Sequence, residues 1–243
     1  MVTTLDFAVD DREERRLDDG THLRLRRVRP ADKPLLVEGF QRLSPHSRYL
    51  RFFTHKRELS DDELRFFTEF DGWDHLALGV VRLNEQGEEA EGVAVARFVR
   101  LPEAAEVAEV ALAVVDAMQG RGLGRWLLER LVLAAAQRRV ACFRFYLLSE
   151  NQRMRALLLG TGWPVRFQRL GDELVAEFSV AEVAAGLSRL AGGASLDELL
   201  CRVGAGWLSL PLSLSLATCR MWWRAEPGSA QAARARFSAG TRG

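Results

Sequence analysis

The residues with the clearest chemical potential form the segment QGRGLG at positions 119–124, where three glycines fall between an apolar run and an amphipathic one. A glycine turn at a helix start presents successive backbone N–H groups to phosphate oxygens, because those first donors have no acceptor inside the helix. The same glycines also suit a tight strand-to-helix turn that needs only their backbone freedom, so both readings stand at this point. The segment is not G-x-x-x-x-G-K-[ST], and neither lysine of the chain, Lys33 or Lys56, lies near it, which argues against a nucleotide triphosphatase. Cys142, Cys201 and Cys219 make no C-x-x-C pair, and His22, His46, His55 and His75 make no H-E-x-x-H, so neither a metal centre nor a disulfide framework is expected. Cys142 would be the nucleophile of a covalent mechanism, but its place in CFRFYLL, with no histidine nearby in sequence, reads as a buried strand residue.

Positioning such groups needs a core, and 243 residues with 48% hydrophobic and 28% charged side chains allow one main domain plus a small annex. The 34 basic residues, all but two of them arginine, are balanced by 33 acidic ones to a formal net charge of +1. No overall basic field exists to recruit nucleic acid. Residues 1–20 are charged and aperiodic and read as a tail, and no basic segment followed by a long apolar run opens the chain, so a cytoplasmic location is expected.

Alternation in THLRLRRVR predicts a first strand over 21–29, and apolar spacing at Leu35, Leu36, Phe40 and Leu43 predicts a helix, with Pro34 in its first turn. SPHSRYLRFF reads as a turn or short helix, and Ser60 with Glu63 has the form of a capping box opening another. Strands are expected over 74–83 and 92–99 as a hairpin, then over 106–115, leading into the glycine turn and a helix over 124–140. A strand over 142–148, a helix over 151–159 and a closing hairpin over 165–180 complete a mixed three-layer α/β domain spanning 21–180.

On these residues the chain resembles the GNAT superfamily of acyl-CoA-dependent N-acyltransferases, whose Q/R-x-x-G-x-G/A signature is matched by Gln119, Gly122 and Gly124. RLSPHSRYLRFF, ELSDDEL and AEVALAVVDAMQGRGLG look more specifically like the acetyltransferase domain of bacterial protein lysine acetyltransferases that modify acyl-CoA synthetases. The resemblance implies a GNAT-like fold with a mixed, mainly antiparallel central sheet and acetyl-CoA as cosubstrate. It implies that backbone amides of Met118, Gln119, Gly120, Arg121, Gly122, Leu123 and Gly124 receive the pyrophosphate, with the preceding strand splayed from the next to admit the thioester arm. Arg121 and Arg125 would add attraction for phosphate, or are simply solvated.

The same resemblance puts the general base at Glu109, ten residues before Gln119. A protonated amine cannot attack a thioester, so a carboxylate near the acceptor has a physical role. A salt-bridged or solvent-facing glutamate is the plain alternative, and Glu106 competes for the base role until strand register decides. A strand N–H between Leu112 and Val114 would polarise the thioester carbonyl. Asn151 matches an asparagine that contacts the CoA arm, although an N-cap is equally legible. Tyr146 reads as a sheet-face residue, and 152–180 holds no tyrosine for a general acid. The expected reaction is direct ternary-complex acetylation of an amine, foremost a protein lysine, with an acyl-CoA synthetase as candidate partner. A small-molecule amine acetyltransferase and a noncatalytic acyl-CoA-binding regulator are the competing readings.

Residues 181–243 read as an extension of one or two short helices divided by Gly192 and Gly193, then 17 uncharged residues over 203–219. Pro211 and the repeated serines weaken a membrane helix, so packing within the protein or a homodimer, or a partner surface across 181–223, is expected before membrane contact.

Overall fold

The computed structural model describes residues 12–190, with side chains to 187. Eight strands form one sheet: β1 (Glu13–Arg16), β2 (His22–Arg27), β3 (His75–Leu83), β4 (Glu89–Leu101), β5 (Ala104–Val114), β6 (Cys142–Leu148), β7 (Arg166–Leu170) and β8 (Glu173–Ser179). Their spatial order is β1-β2-β3-β4-β5-β6-β8-β7, and every pairing is antiparallel except β5 with β6. Helices α1 (Lys33–Gln41), α2 (Pro45–Phe52) and α3 (Asp61–Thr68) lie between β2 and β3 in the chain; α4 (Leu123–Gln137), α5 (Gln152–Gly160) and α6 (Val180–Leu190) follow later strands. The mixed, mainly antiparallel sheet with helices on both faces is the three-layer arrangement expected from the sequence.

Cross-strand register sorts the side chains between the layers, since residues paired across strands share a face. Leu76, Phe98 and Val110 form one such row and Leu78, Ala96 and Leu112 the next, and all but the half-buried Leu112 are nearly fully buried. They pack against Trp126, Leu127, Leu131 and Ala134 of α4 in the main core, each large apolar side chain contributing about 1.5–3 kcal/mol on burial. The opposite face carries Arg26, Gly79, Val95 and Ala113 in one row. It is covered by α1, α2 and α3, whose Phe40, Phe52 and Phe67 make a second, smaller cluster.

Local chemistry fixes the helix starts. The Ser60 hydroxyl accepts from the Glu63 N–H and the Glu63 carboxylate accepts from the Ser60 N–H, the capping box read from sequence. Ser44 caps α2 in the same way, accepting from the Ser47 N–H, with Pro45 in the first turn.

One segment departs from expectation. Within the stretch read as a tail, Glu13–Arg16 forms β1, paired antiparallel to β2. Its charges, which suggested solvation, have partners on α4: Glu13 pairs with Arg130, and the Arg15 guanidinium lies 4.5 Å from the Trp126 ring centroid. Helix α6 continues the domain past 180 and packs on α4. The predictions for Gly192, Gly193 and the uncharged run at 203–219 lie outside the described residues. Among the described residues no helix is long and apolar enough to cross a membrane, and no group of three or more His, Cys, Asp or Glu side chains could hold a metal ion.

Candidate active site

Parallel pairing between β5 and β6 lasts for only three residue pairs, Val107 with Cys142, Ala108 with Phe143 and Glu109 with Arg144. Past that point β5 stays with β4 as far as Val114, while β6 stays with β8 as far as Leu148. The two strands are each held by an outer neighbour and diverge. The gap opens into a cleft of about 640 Å³, lined along one wall by residues 110–114 and along the other by residues 145–147.

Glu109 stands where the strands part and lines this cleft half-buried, whereas Glu106 does not. An odd separation along a strand puts the two carboxylates on opposite faces, so register separates the two candidates. Arg51, from α2, lines the cleft beside Glu109. Burial pushes the Arg51 guanidinium down to about 10, with the Glu109 charge opposing that shift, and it stays protonated at neutral pH.

The floor of the cleft is the glycine turn. Gly120 and Gly122 have φ of +77° and +80°, the left-handed region that costs a residue with a Cβ about 1–2 kcal/mol. A Cβ at either would meet no atom within 4 Å, so backbone conformation, not crowding, requires glycine there. Gly124 differs: its Cβ would come within 2.9 Å of Leu157 Cδ2, and glycine lets α4 and α5 approach. Among the described residues the N–H groups of Gly120, Arg121 and Gly122 have no protein acceptor. The first i→i−4 bond of α4 is donated by Trp126 to Gly122, 3.0 Å, which leaves the N–H groups of Leu123, Gly124 and Arg125 without such a partner as well. Six donors at a helix N-terminus make an anion cradle.

The other sequence-predicted residues divide. Leu112, Val114, Met118, Gln119, Gly120, Gly122, Leu123, Gly124, Arg125 and Asn151 all line the cleft with Glu109, but the N–H groups of Met118 and Gln119, expected to receive pyrophosphate, donate instead to the carbonyls of Val115 and Asp116. Arg121 keeps its backbone N–H in the turn, but its side chain is turned to an ion pair with Asp19 and does not line the cleft. The Arg125 side chain is engaged with Glu129 and the Gly160 carbonyl. Gln119 ties the turn down, donating through Nε2 to the Val114 carbonyl, 3.0 Å, while its Oε1 accepts from Arg153. Asn151 is the N-cap of α5, its Oδ1 accepting from the Met154 N–H at 3.1 Å. Tyr146, read from sequence as a sheet-face residue, is half-buried in the cleft wall. Cys142 does not line the cleft, and burial followed by the Glu177 charge pushes its thiol up to about 11, against a covalent role.

Sequence reasoning missed Arg51, Arg153 and the clamp that positions α2. Asp116, just after β5, accepts from the Ser44 N–H at 2.9 Å, the Ser44 hydroxyl at 3.0 Å and the Ser47 hydroxyl at 2.8 Å. Burial alone would raise the Asp116 pKa, but these hydrogen bonds outweigh it and hold the carboxyl below its ordinary value. The SPHS capping signal was visible; its tie to a residue 72 positions away was not.

Comparison with known proteins agrees with this geometry. Residues 35–162 match the Acetyltransferase (GNAT) family. Acetyltransferase Pat of Mycolicibacterium smegmatis is 34% identical over 141 residues, covering 57% of this chain and 41% of that protein. Acetyltransferase PA5475 of Pseudomonas aeruginosa is 31% identical over 149 residues, 60% of this chain and 77% of that one. The chain thus spans under half the length of the mycobacterial relative. Among solved structures, the GNAT domain of S. lividans PAT superposes with a TM-score of 0.62 at 28% identity, covering 69% of this chain and 96% of that domain. The splayed strands, the N–H cradle, the matched family and these relatives lead to one conclusion: the chain belongs to the GNAT family of acetyltransferases.

Proposed function

We propose that the chain transfers the acetyl group of acetyl-CoA to the ε-amine of a lysine in a protein substrate, with Glu109 as general base. The observation that carries this reading is the placement of Glu109 where β5 and β6 part, in the same cleft as the N–H cradle of residues 120–125. The cradle suits a pyrophosphate, and the walls over 110–114 and 145–147 suit an extended pantetheine arm. With the thioester in the gap, a free N–H of β5 between Leu112 and Val114 would stabilise the carbonyl oxygen as charge develops. Glu109 would take the proton from the attacking amine, the C–N bond would form as the C–S bond breaks, and CoA would leave as the thiol after protonation. Tyr146 lines the same wall and would be the candidate to return that last proton.

The protein-lysine acceptor rests on the likeness to Acetyltransferase Pat and to the S. lividans PAT domain, and an acyl-CoA synthetase is the partner it suggests. We take residues 21–180 as the transferase domain, extended by β1 and α6, and residues beyond 190 as the extension; a cytoplasmic location fits such a partner. The test is transfer from acetyl-CoA to an acyl-CoA synthetase and, in parallel, to a panel of small amines, read by peptide mass. Glu109→Gln is expected to lower kcat by about 10²–10⁴ while leaving CoA affinity unchanged. Full activity in that variant would remove Glu109 from the mechanism, and acetylation confined to small amines would remove the protein acceptor.

A further inference from the structure

On the α1–α3 side of the sheet a second cavity of about 90 Å³ lies behind Arg51, which lines both it and the transfer cleft. Its walls are apolar, with Leu36, Phe40, Phe52, Phe67 and Val93 among them, yet two arginines of the sheet also line it. Both are 3% exposed, but their surroundings differ. Arg26 is met by Asp32, at 2.6 and 2.9 Å, and by Glu89. Arg97 has no carboxylate partner among the described residues.

The Arg97 guanidinium lies 4.3 Å from the Phe67 ring centroid, and its Nη1 reaches the Phe67 carbonyl at 3.4 Å and His75 Nε2 at 3.3 Å. Arginine can only donate, so His75 Nε2 is the acceptor and its ring is neutral. Burial, then the Arg97 charge, pushes His75 down to about 3, so it brings no compensating charge. The buried Nε of Arg97 has no hydrogen-bond partner at all. Arg51, which also lines the cavity, is itself positive and repels Arg97. Asp32 also lines the cavity, but its carboxylate is taken up by Arg26, so Arg97 is buried there without a carboxylate of its own, and a buried cation of this kind favours an anion from outside.

We propose that this cavity is a binding site for a small aliphatic monocarboxylate, its carboxylate on Arg97 and its alkyl end among Leu36, Phe40 and Val93. The small volume, about 90 Å³, favours a short chain of a few carbons. The apolar walls select against inorganic anions, which would lose their hydration with nothing to replace it. Because Arg51 is a shared wall, a carboxylate bound here adds negative charge to the field that Arg51 and Glu109 share, and free acid in the cavity is sensed in the transfer cleft.

Calorimetric titration of the full chain with propionate, hexanoate and n-propanol, at constant ionic strength and with saturating CoA, tests this independently of any acetyl transfer. Propionate is expected to bind at one site with CoA present, hexanoate more weakly, and propanol not measurably. Arg97→Met removes the charge while keeping the bulk. It is expected to lose propionate affinity by about tenfold or more, as for one charge-assisted hydrogen bond, and to melt no lower than the unliganded parent. Leu36→Phe, which fills the cavity and keeps the charge, is expected to abolish propionate binding. The proposal is overturned by absence of saturable propionate binding, by competition with CoA, or by unchanged affinity in Arg97→Met. Should Arg97→Met fail to fold, unchanged propionate affinity in Leu36→Phe overturns it equally.

Discussion

Substituting Gly122 by Asn, Ala and Val separates a backbone requirement from a steric one. Gly122 has φ +80° at the N-cap of α4, and a Cβ there touches nothing within 4 Å. If conformation alone demands glycine, the cost follows the tolerance of each residue for the left-handed region. Asn visits that region readily and is expected to cost a few tenths of a kcal/mol, Ala about 1–2 kcal/mol, and β-branched Val more. For a domain of this size 1 kcal/mol lowers Tm by about 2–4 °C, so the three variants are resolvable by calorimetry. Side-chain volume would rank them differently, with Ala mildest and Asn between Ala and Val. CoA affinity, titrated on the same proteins, is expected to follow the conformational order, because a turn that relaxes to relieve strain re-aims the N–H groups of residues 120–125. An Asn variant less stable than the Ala variant, or CoA affinity identical across the series, would refute the argument.

Further expectations follow from the charged clusters. Arg26→Met leaves the carboxylates of Asp32 and Glu89 facing an apolar side chain, and urea unfolding is expected to show a loss of about 3–5 kcal/mol; a loss below about 1 kcal/mol would contradict the pairing. Asp116 has a folded pKa below its ordinary value, so the stability it contributes is fully present above that ordinary value and is lost as pH falls through the depressed folded one. Unfolding free energy measured between neutral and strongly acidic pH should therefore fall less steeply in Asp116→Asn, and parallel curves would mean the clamp carries no charge-dependent stability. Peptide mapping after iodoacetamide at mild alkaline pH is expected to find Cys142 largely unmodified, with acetyl transfer unaffected in Cys142→Ala; rapid labelling would contradict the thiol's raised pKa.

How far the sequence reached depends on the range of the interaction involved. Apolar spacing anticipated α1 and α4, a capping box α3, alternation β2 and a nearly continuous apolar run β5, because these patterns are properties of the segment itself. The glycine turn was legible for the same reason, since the need for left-handed φ at 120 and 122 is local. The strand β1 was not legible: Glu13 and Arg15 look solvated until α4 supplies Arg130 and the Trp126 ring.

What the chain determined on its own was therefore most of the elements, the glycine turn and the candidate carboxylates Glu106 and Glu109. Which of those carboxylates lines the cleft depends on the tertiary structure, because only strand register says which face each occupies and where the β5–β6 pairing ends, at Glu109. The company of Arg51, Arg97 and His75 belongs to the same level. Those residues come from α2, β4 and β3: strand pairing sets His75 beside Arg97, and α2 packing on the sheet brings the Arg51 charge near them.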